Sequence, residues 1–321
     1  MPKEISNLMS RVLVAIVAIP VIVYVSYRGG ALFFLFVTAI SFLALREFFS
    51  LAEAKGTSPQ KQLAVLAVLC INLSFFHERL QFFILPYFVD NGTGISLLSK
   101  LQLLLVVIAS FIILSLMVEL FRNKGSAMSN VGYTFLGVMY IGMCGGTLIG
   151  IRELYGIEFP YWLLQRTIGS NAGFSDIFVH SVTYVWGGLT IISVLVSIWM
   201  CDTAAYFGGK AMGKHKLFPR VSPHKTWEGT MWGFVAAVGT MIVAQKFFLP
   251  YLELHQAVMI GTIIGSFGQV GDLVESLMKR DAGVKDSSTI IPGHGGVLDR
   301  FDSLLFVSPI LYLYIDFVVL S

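Results

Sequence analysis

Long apolar runs separated by short polar ones set the plan of this chain. A helix needs about 20 mostly apolar residues to cross the hydrocarbon core of a bilayer. The pattern predicts nine such helices, over residues 12–27, 31–50, 62–76, 101–121, 131–150, 181–200, 228–248, 256–275 and 303–320. The segment 80–90 is apolar but short and carries Pro86, so it is expected to be interfacial or re-entrant. Residues 151–180 mix aromatics with Arg152, Glu153 and Arg166 and read as an extracytoplasmic loop resting on the membrane surface. The expected fold is all-α and polytopic, one membrane domain without internal repeats. It divides into an N-terminal transmembrane region with that loop, 1–180, and a charge-rich C-terminal transmembrane region, 181–321.

Composition supports the bilayer as solvent. Of the 321 residues, 56% are hydrophobic and 13% charged, where soluble domains carry about 25% charged residues. A water-soluble fold would lack the polar side chains to cover so much apolar surface. The net charge of +3 is too small to indicate nucleic acid. Cys70, Cys144 and Cys201 are scattered and support neither a disulfide framework nor a zinc site. No small-residue cleavage site follows the first apolar run, so 12–27 reads as a retained span.

Basic residues orient the chain, because Lys and Arg concentrate on the cytoplasmic side. With the N-terminus inside and nine alternating spans, 16 of the 22 basic residues fall inside. The same arrangement puts two charge-rich loops on one face, separated by two spans, so they can meet.

The first loop, Cys201 to Gly229, reads CDTAAYFGGKAMGKHKLFPRVSPHKTWEG. Asp202 follows directly on an apolar run, where an unpaired charge costs several kcal/mol. Lys210, Lys214, Lys216, Arg220 and Lys225 follow, with Gly208, Gly209 and Gly213 expected to loosen the backbone between them. Glycines interleaved with lysines suit a triphosphate, since amides approach closely and ammonium groups offset its charge. Ser222 and Pro223 read as the entry to the next helix, whose positive end favours an anion. A basic loop that only sets topology is the plainer alternative.

The second loop is more specific. Asp272, Glu275 and Lys279 recur at spacings of three and four and share one helical face, flanked by Arg280. Snorkelling at a helix end explains Lys279 and Arg280. It does not explain Asp272, which lies about two turns deeper. Then come Lys285 and Asp286, a Pro292–Gly293 turn, His294, Gly295 and Gly296, and Asp299, Arg300 and Asp302 before the last run. Carboxylates supplied by separate segments are what a hard divalent cation such as Mg²⁺ requires, alongside substrate phosphates. Mg²⁺ prefers oxygen, which favours a hydrogen-bonding or loop-ordering role for His294.

The stretch SLMKRDAGVKDSSTIIPGHGGVLDRFD, Ser276 to Asp302, resembles the signature of the phosphatidate cytidylyltransferases, or CDP-diacylglycerol synthases. The segments CDTAAYFGGK and SPHKTWEG resemble the same family; His224 departs from it, standing where a lysine or asparagine is expected. The resemblance covers residues 201–302, while the N-terminal half is similar only in being polytopic. It implies a nucleotidyltransferase of phospholipid biosynthesis that converts CTP and phosphatidate to CDP-diacylglycerol and pyrophosphate. It also implies Mg²⁺, with a second, monovalent ion such as K⁺.

On that footing Asp202, Asp272, Asp286 and Asp299 are the expected metal carboxylates. Asp272, Lys285, Asp286, Asp299 and Arg300 are the expected catalytic set. Lys210, Lys225, Lys279, Arg280, His294, Gly295 and Gly296 are expected to hold substrate, and Glu228 and Asp302 to orient Lys or Arg. The expected setting is a bacterial inner (plasma) membrane with the catalytic face cytoplasmic and the chain as a homodimer. Another CTP-dependent lipid enzyme, such as a CDP-archaeol synthase or a polyprenol kinase, shares the loop chemistry. A transporter would place its charges near the midplane, often in repeated halves. A purely structural scaffold gives no reason for HGGVLDRFD between two spans.

Overall fold

The computed structural model describes residues 3–81, 98–156, 159–169, 176–288, 290 and 295–321, and they are almost wholly helical. In chain order the helices are α1 (Lys3–Arg28), α2 (Gly30–Ala54), α3 (Lys61–Phe75) and α4 (Lys100–Phe121). Next come α5 (Ala127–Glu153), α6 (Tyr161–Ile168) and α7 (Asp176–Met212). A hairpin of β1 (Lys216–Phe218) and β2 (Ser222–Thr226) leads into α8 (Trp227–Phe247). The chain ends with α9 (Leu254–Asp281) and α10 (Leu298–Val319).

Each apolar stretch coincides with a helix to within a few residues, because in hydrocarbon a helix satisfies its own backbone groups. Six helices are long and apolar enough to span a membrane: α2, α4, α5, most of α7, α9 and α10. The apolar part of α1 and the whole of α3 are shorter. Six spans, rather than the nine expected, are what length and hydropathy establish among the described residues.

The described residues of 151–180 are largely helical. Helix α5 continues through Glu153, α6 occupies Tyr161–Ile168, and α7 begins at Asp176. Tyr155, Leu163 and Leu164 are fully buried. Arg152, also fully buried, donates to the carbonyls of Ser26 and Tyr27, both at 3.1 Å. Its guanidinium lies 3.9 Å from the Tyr184 ring centroid. It therefore closes the end of α1 and ties it to α5 and α7. Of the 80–90 segment, residues 82–90 lie outside the described residues.

The C-terminal helix α10 packs against α5 and α9, while α8 lies along α7 and α9. Helices of the two sequence regions thus pack directly against one another. A π turn at Ile264–Gly268 in α9 resets the helix face just before the polar stripe that begins at Gln269.

Candidate active site

The predicted first loop is largely helix. Residues 201–212 continue α7, a helix of 37 residues, so Asp202 and Lys210 stand on a rigid rod. Gly208 and Gly209 serve close packing rather than loosening the backbone. A Cβ on Gly208 would lie 2.5 Å from the Trp232 ring, and one on Gly229 would lie 2.6 Å from the Ala205 carbonyl and 3.0 Å from the Gly209 Cα. Only glycine lets α7 and α8 approach so closely.

The basic residues that follow are on the hairpin. Ser222 and Pro223 belong to β2 rather than to a helix entry. Helix α8 is instead capped by Thr226, whose hydroxyl accepts from Gly229 N at 3.2 Å. In its first turn Glu228 accepts from the amides of Lys214 at 3.1 Å and His215 at 3.2 Å. It also lies 2.6 Å from His215 Nδ1, so it closes the base of the hairpin rather than orienting a Lys or Arg. The hairpin's other attachments run to α9. Lys225 Nζ lies 2.6 Å from Asp272 Oδ2, and Arg280 Nε reaches the Val221 carbonyl at 3.5 Å.

Three carboxylates share one cavity lining, Asp202 of α7, Asp272 of α9 and Asp302 of α10. Asp202 is within electrostatic reach of Asp272, Lys225 and Arg300. Asp302 is within the same reach of Asp202, Asp272 and Lys225. Asp202 and Asp272 line a cavity of about 1050 Å³, together with Asp286, Asp299, Arg300 and Asp302. Glu275, Lys279 and Ser303 line it as well, and its apolar wall comes largely from α1 and α2, at positions such as Val17, Val21, Phe36 and Ile40. The cavity is therefore amphiphilic, with charge from the C-terminal helices and hydrocarbon from the N-terminal ones.

Deeper in, Lys279 is gripped by two carboxylates, Glu275 Oε2 at 2.5 Å and Asp299 Oδ1 at 2.6 Å. The other oxygen of Asp299 accepts from Gly296 N at 2.8 Å, Ser287 N at 3.0 Å and Ser287 Oγ at 2.8 Å. Both oxygens of Asp299 thus have partners within the protein. Gly295 has φ +80°, and a Cβ there would lie 2.8 Å from Asp299 Oδ2.

The remaining expected residues divide. Lys210 and Lys285 are exposed and stand outside the cavity lining. Arg280 is exposed, with its guanidinium turned to backbone carbonyls. His294 lies outside the described residues. Two residues of this end of the molecule carried no site role in the sequence reading. One is Glu275, 1% exposed; the other is Glu47 of α2, also 1% exposed. Glu47 accepts from Ser287 Oγ, Ser288 Oγ and the amides of Val297 and Leu298, at 2.6–2.9 Å. The available signal was a carboxylate inside the apolar run LALREFFSL.

The donor set bears on Mg²⁺. Among the described residues no group of three His, Cys, Asp or Glu side chains is close enough to hold a metal alone. Asp202 and Asp272 line the same cavity, which fits a hard cation that takes one or two carboxylates and completes its shell with waters and substrate phosphates. Asp299, already bonded at both oxygens, fits such a role poorly.

The chain matches the cytidylyltransferase family over residues 9–318. It is 34% identical over 301 residues to the phosphatidate cytidylyltransferase of Staphylococcus saprophyticus, covering 94% of this chain and 96% of that protein. The phosphatidate cytidylyltransferase of Bacillus subtilis is 33% identical over 314 residues, covering 95% of this chain and 97% of its own. That of Synechocystis is 30% identical over 306 residues, covering 95% of each.

Proposed function

The chain belongs to the cytidylyltransferase family, and from that premise we propose that it transfers the cytidylyl group of CTP to phosphatidate, forming CDP-diacylglycerol and releasing pyrophosphate. The observation that carries this reading is the amphiphilic cavity. A phosphate ester with two acyl chains needs hydrocarbon and charge in one enclosure, and α1 and α2 supply the first while Asp202, Asp272 and Arg300 mark the second.

In the reaction a phosphatidate oxygen attacks the α-phosphorus of CTP. The new P–O bond forms as the bond to the β-phosphate oxygen breaks, and pyrophosphate leaves with that oxygen. The attacking oxygen is anionic near neutral pH, so little proton transfer is required. The barrier lies in bringing two anions together and stabilising the charge that develops on the leaving group. Lys225 and Arg300 are the cations assigned to this task. Lys279 is assigned a positioning role, since Glu275 and Asp299 hold its ammonium between them. Asp202 and Asp272 would hold Mg²⁺, which when bound supplies positive charge to the triphosphate that aspartates alone would repel.

The proposal places this end of the helices at the cytosolic face of a bacterial inner membrane, following the bias of basic residues. It extends to a homodimer, against which a monomer mass in detergent by light scattering would count. The decisive assay mixes purified protein with CTP, Mg²⁺ and phosphatidate and measures pyrophosphate and CDP-lipid. Equal yields of both are expected. Labelled lipid formed only from an archaeal ether-lipid phosphate, or phosphorylated polyprenol without pyrophosphate, would replace this reading by another CTP-dependent one. No nucleotide turnover alongside solute flux in liposomes would replace it by transport.

A further inference from the structure

Helix α10 begins without a cap of its own. Its N-cap, Val297, has no side chain able to accept a hydrogen bond, and the first amides of a helix have no partner within it. Glu47 fills that role from a helix 250 residues earlier in the chain. Its Oε1 accepts from Val297 N at 2.9 Å and Ser288 Oγ at 2.6 Å. Its Oε2 accepts from Leu298 N at 2.7 Å and Ser287 Oγ at 2.9 Å. Two backbone amides and the Ser288 hydroxyl donate to the two oxygens, and the single hydroxyl hydrogen of Ser287 is shared between Glu47 and Asp299. An anion there also complements the positive end of α10.

What the carboxylate holds is the segment that carries the site. Ser287 follows Asp286, which lines the cavity, and Leu298 precedes Asp299 and Arg300, which line it too. Ser287 Oγ lies within hydrogen-bond distance of both Glu47 and Asp299, and Asp299 in turn fixes Lys279. Gly296 sits directly over this junction, where a Cβ would collide with Ser287 Oγ and the Glu47 carboxylate. The second glycine of the HGG motif is therefore required by Glu47.

We propose that Glu47 is a positioning residue for cytidylyl transfer: it pins Ser287, Ser288, Val297 and Leu298 to α2 and so sets where Asp286, Asp299 and Arg300 stand in the cavity. The inference rests on the transferase reading. A displacement of about 1 Å in groups that orient reacting phosphates costs on the order of 10²-fold in rate.

The test compares Glu47→Gln, which replaces one accepting oxygen with an NH₂, with the wild type and with Glu47→Asp, which keeps the carboxylate on a shorter arm. Two quantities are read: turnover per folded molecule, and hydrogen exchange of the amides of Ser287, Val297 and Leu298. In Glu47→Gln, kcat is expected to fall at least tenfold and those amides to exchange at least tenfold faster. Exchange in α4 should not change, and Glu47→Asp should recover part of both losses. Faster exchange with wild-type kcat would reduce Glu47 to a structural cap and overturn the proposal. Unchanged exchange, whatever the kcat, would overturn it as well. If Glu47→Gln does not fold, Ser288→Ala, which removes one donor to Oε1, must show the same paired changes at smaller size; wild-type values in both measurements would refute the inference. A wild-type protein inactive on CTP and phosphatidate sinks the transferase reading instead.

Discussion

Lys225 Nζ stands 2.6 Å from Asp272 Oδ2, and that contact joins the basic hairpin to the helix stripe carrying Asp272, Glu275 and Lys279. Both partners are partly exposed, with side chains 26% and 36% accessible. A pair so open to water contributes about 0–1 kcal/mol to stability. Its use is therefore to hold a cation where the triphosphate arrives. Lys225→Ala is expected to raise KM for CTP at least tenfold while leaving the thermal midpoint within about two degrees, read by steady-state kinetics and thermal shift in detergent. A wild-type KM would remove Lys225 from the nucleotide site.

Asp272 and Asp299 should separate when each is changed to Asn. Asp272 borders the cavity and makes few protein contacts, so Asp272→Asn should lower kcat by about 10²–10³-fold, the usual range for one electrostatic group, without loss of stability. Asp299 accepts from Lys279, Ser287 and Gly296, so Asp299→Asn should lower kcat and the thermal midpoint together. An Asp299→Asn enzyme with unaltered stability would mean that these hydrogen bonds matter less than a direct role at the substrate.

Lys279 makes a sharper case for structure. Its side chain is 12% exposed, and those of Glu275 and Asp299 are 1% and 7%. Removing the cation leaves two buried carboxylates facing each other, and breaking a buried pair costs about 3–5 kcal/mol. Lys279→Ala should lower the thermal midpoint far more than Lys225→Ala does. Equal midpoints would show that the pair is solvated.

Two of the loop's glycines have a built-in control. Gly283 and Gly295 both have positive φ, +73° and +80°, but a Cβ on Gly283 meets nothing within 4 Å while one on Gly295 meets Asp299. Both Ala variants carry the same backbone strain. Gly295→Ala should lose at least tenfold more turnover than Gly283→Ala, with KM for CTP unchanged in each. A rise in KM alone for Gly295→Ala would restore the glycine to nucleotide contact.

Divalent cation removal offers a fifth check. EDTA should stop turnover and MgCl₂ restore it, and Asp202→Asn should raise the Mg²⁺ concentration needed for half-maximal rate. Full activity in EDTA would remove the metal from the proposal.

What the sequence determined by itself is the set of helices and the region of chemistry. Hydrocarbon tolerates backbone only when its hydrogen bonds close within the segment, so apolar runs near the length of a bilayer are legible without any partner. Charges such as Asp202 and Asp272, at the edges of those runs, stand out for the same reason. What the tertiary structure decided is which partner each charge has. The helical continuation to Met212 rests on α8 packing against Gly208 and Gly209. Asp299 reads as a free carboxylate until Lys279 and Ser287 come to it. Glu47 finds the start of α10 across 250 residues of chain. Hydropathy is a property of one segment at a time, whereas a hydrogen bond between distant segments exists only once the helices have packed.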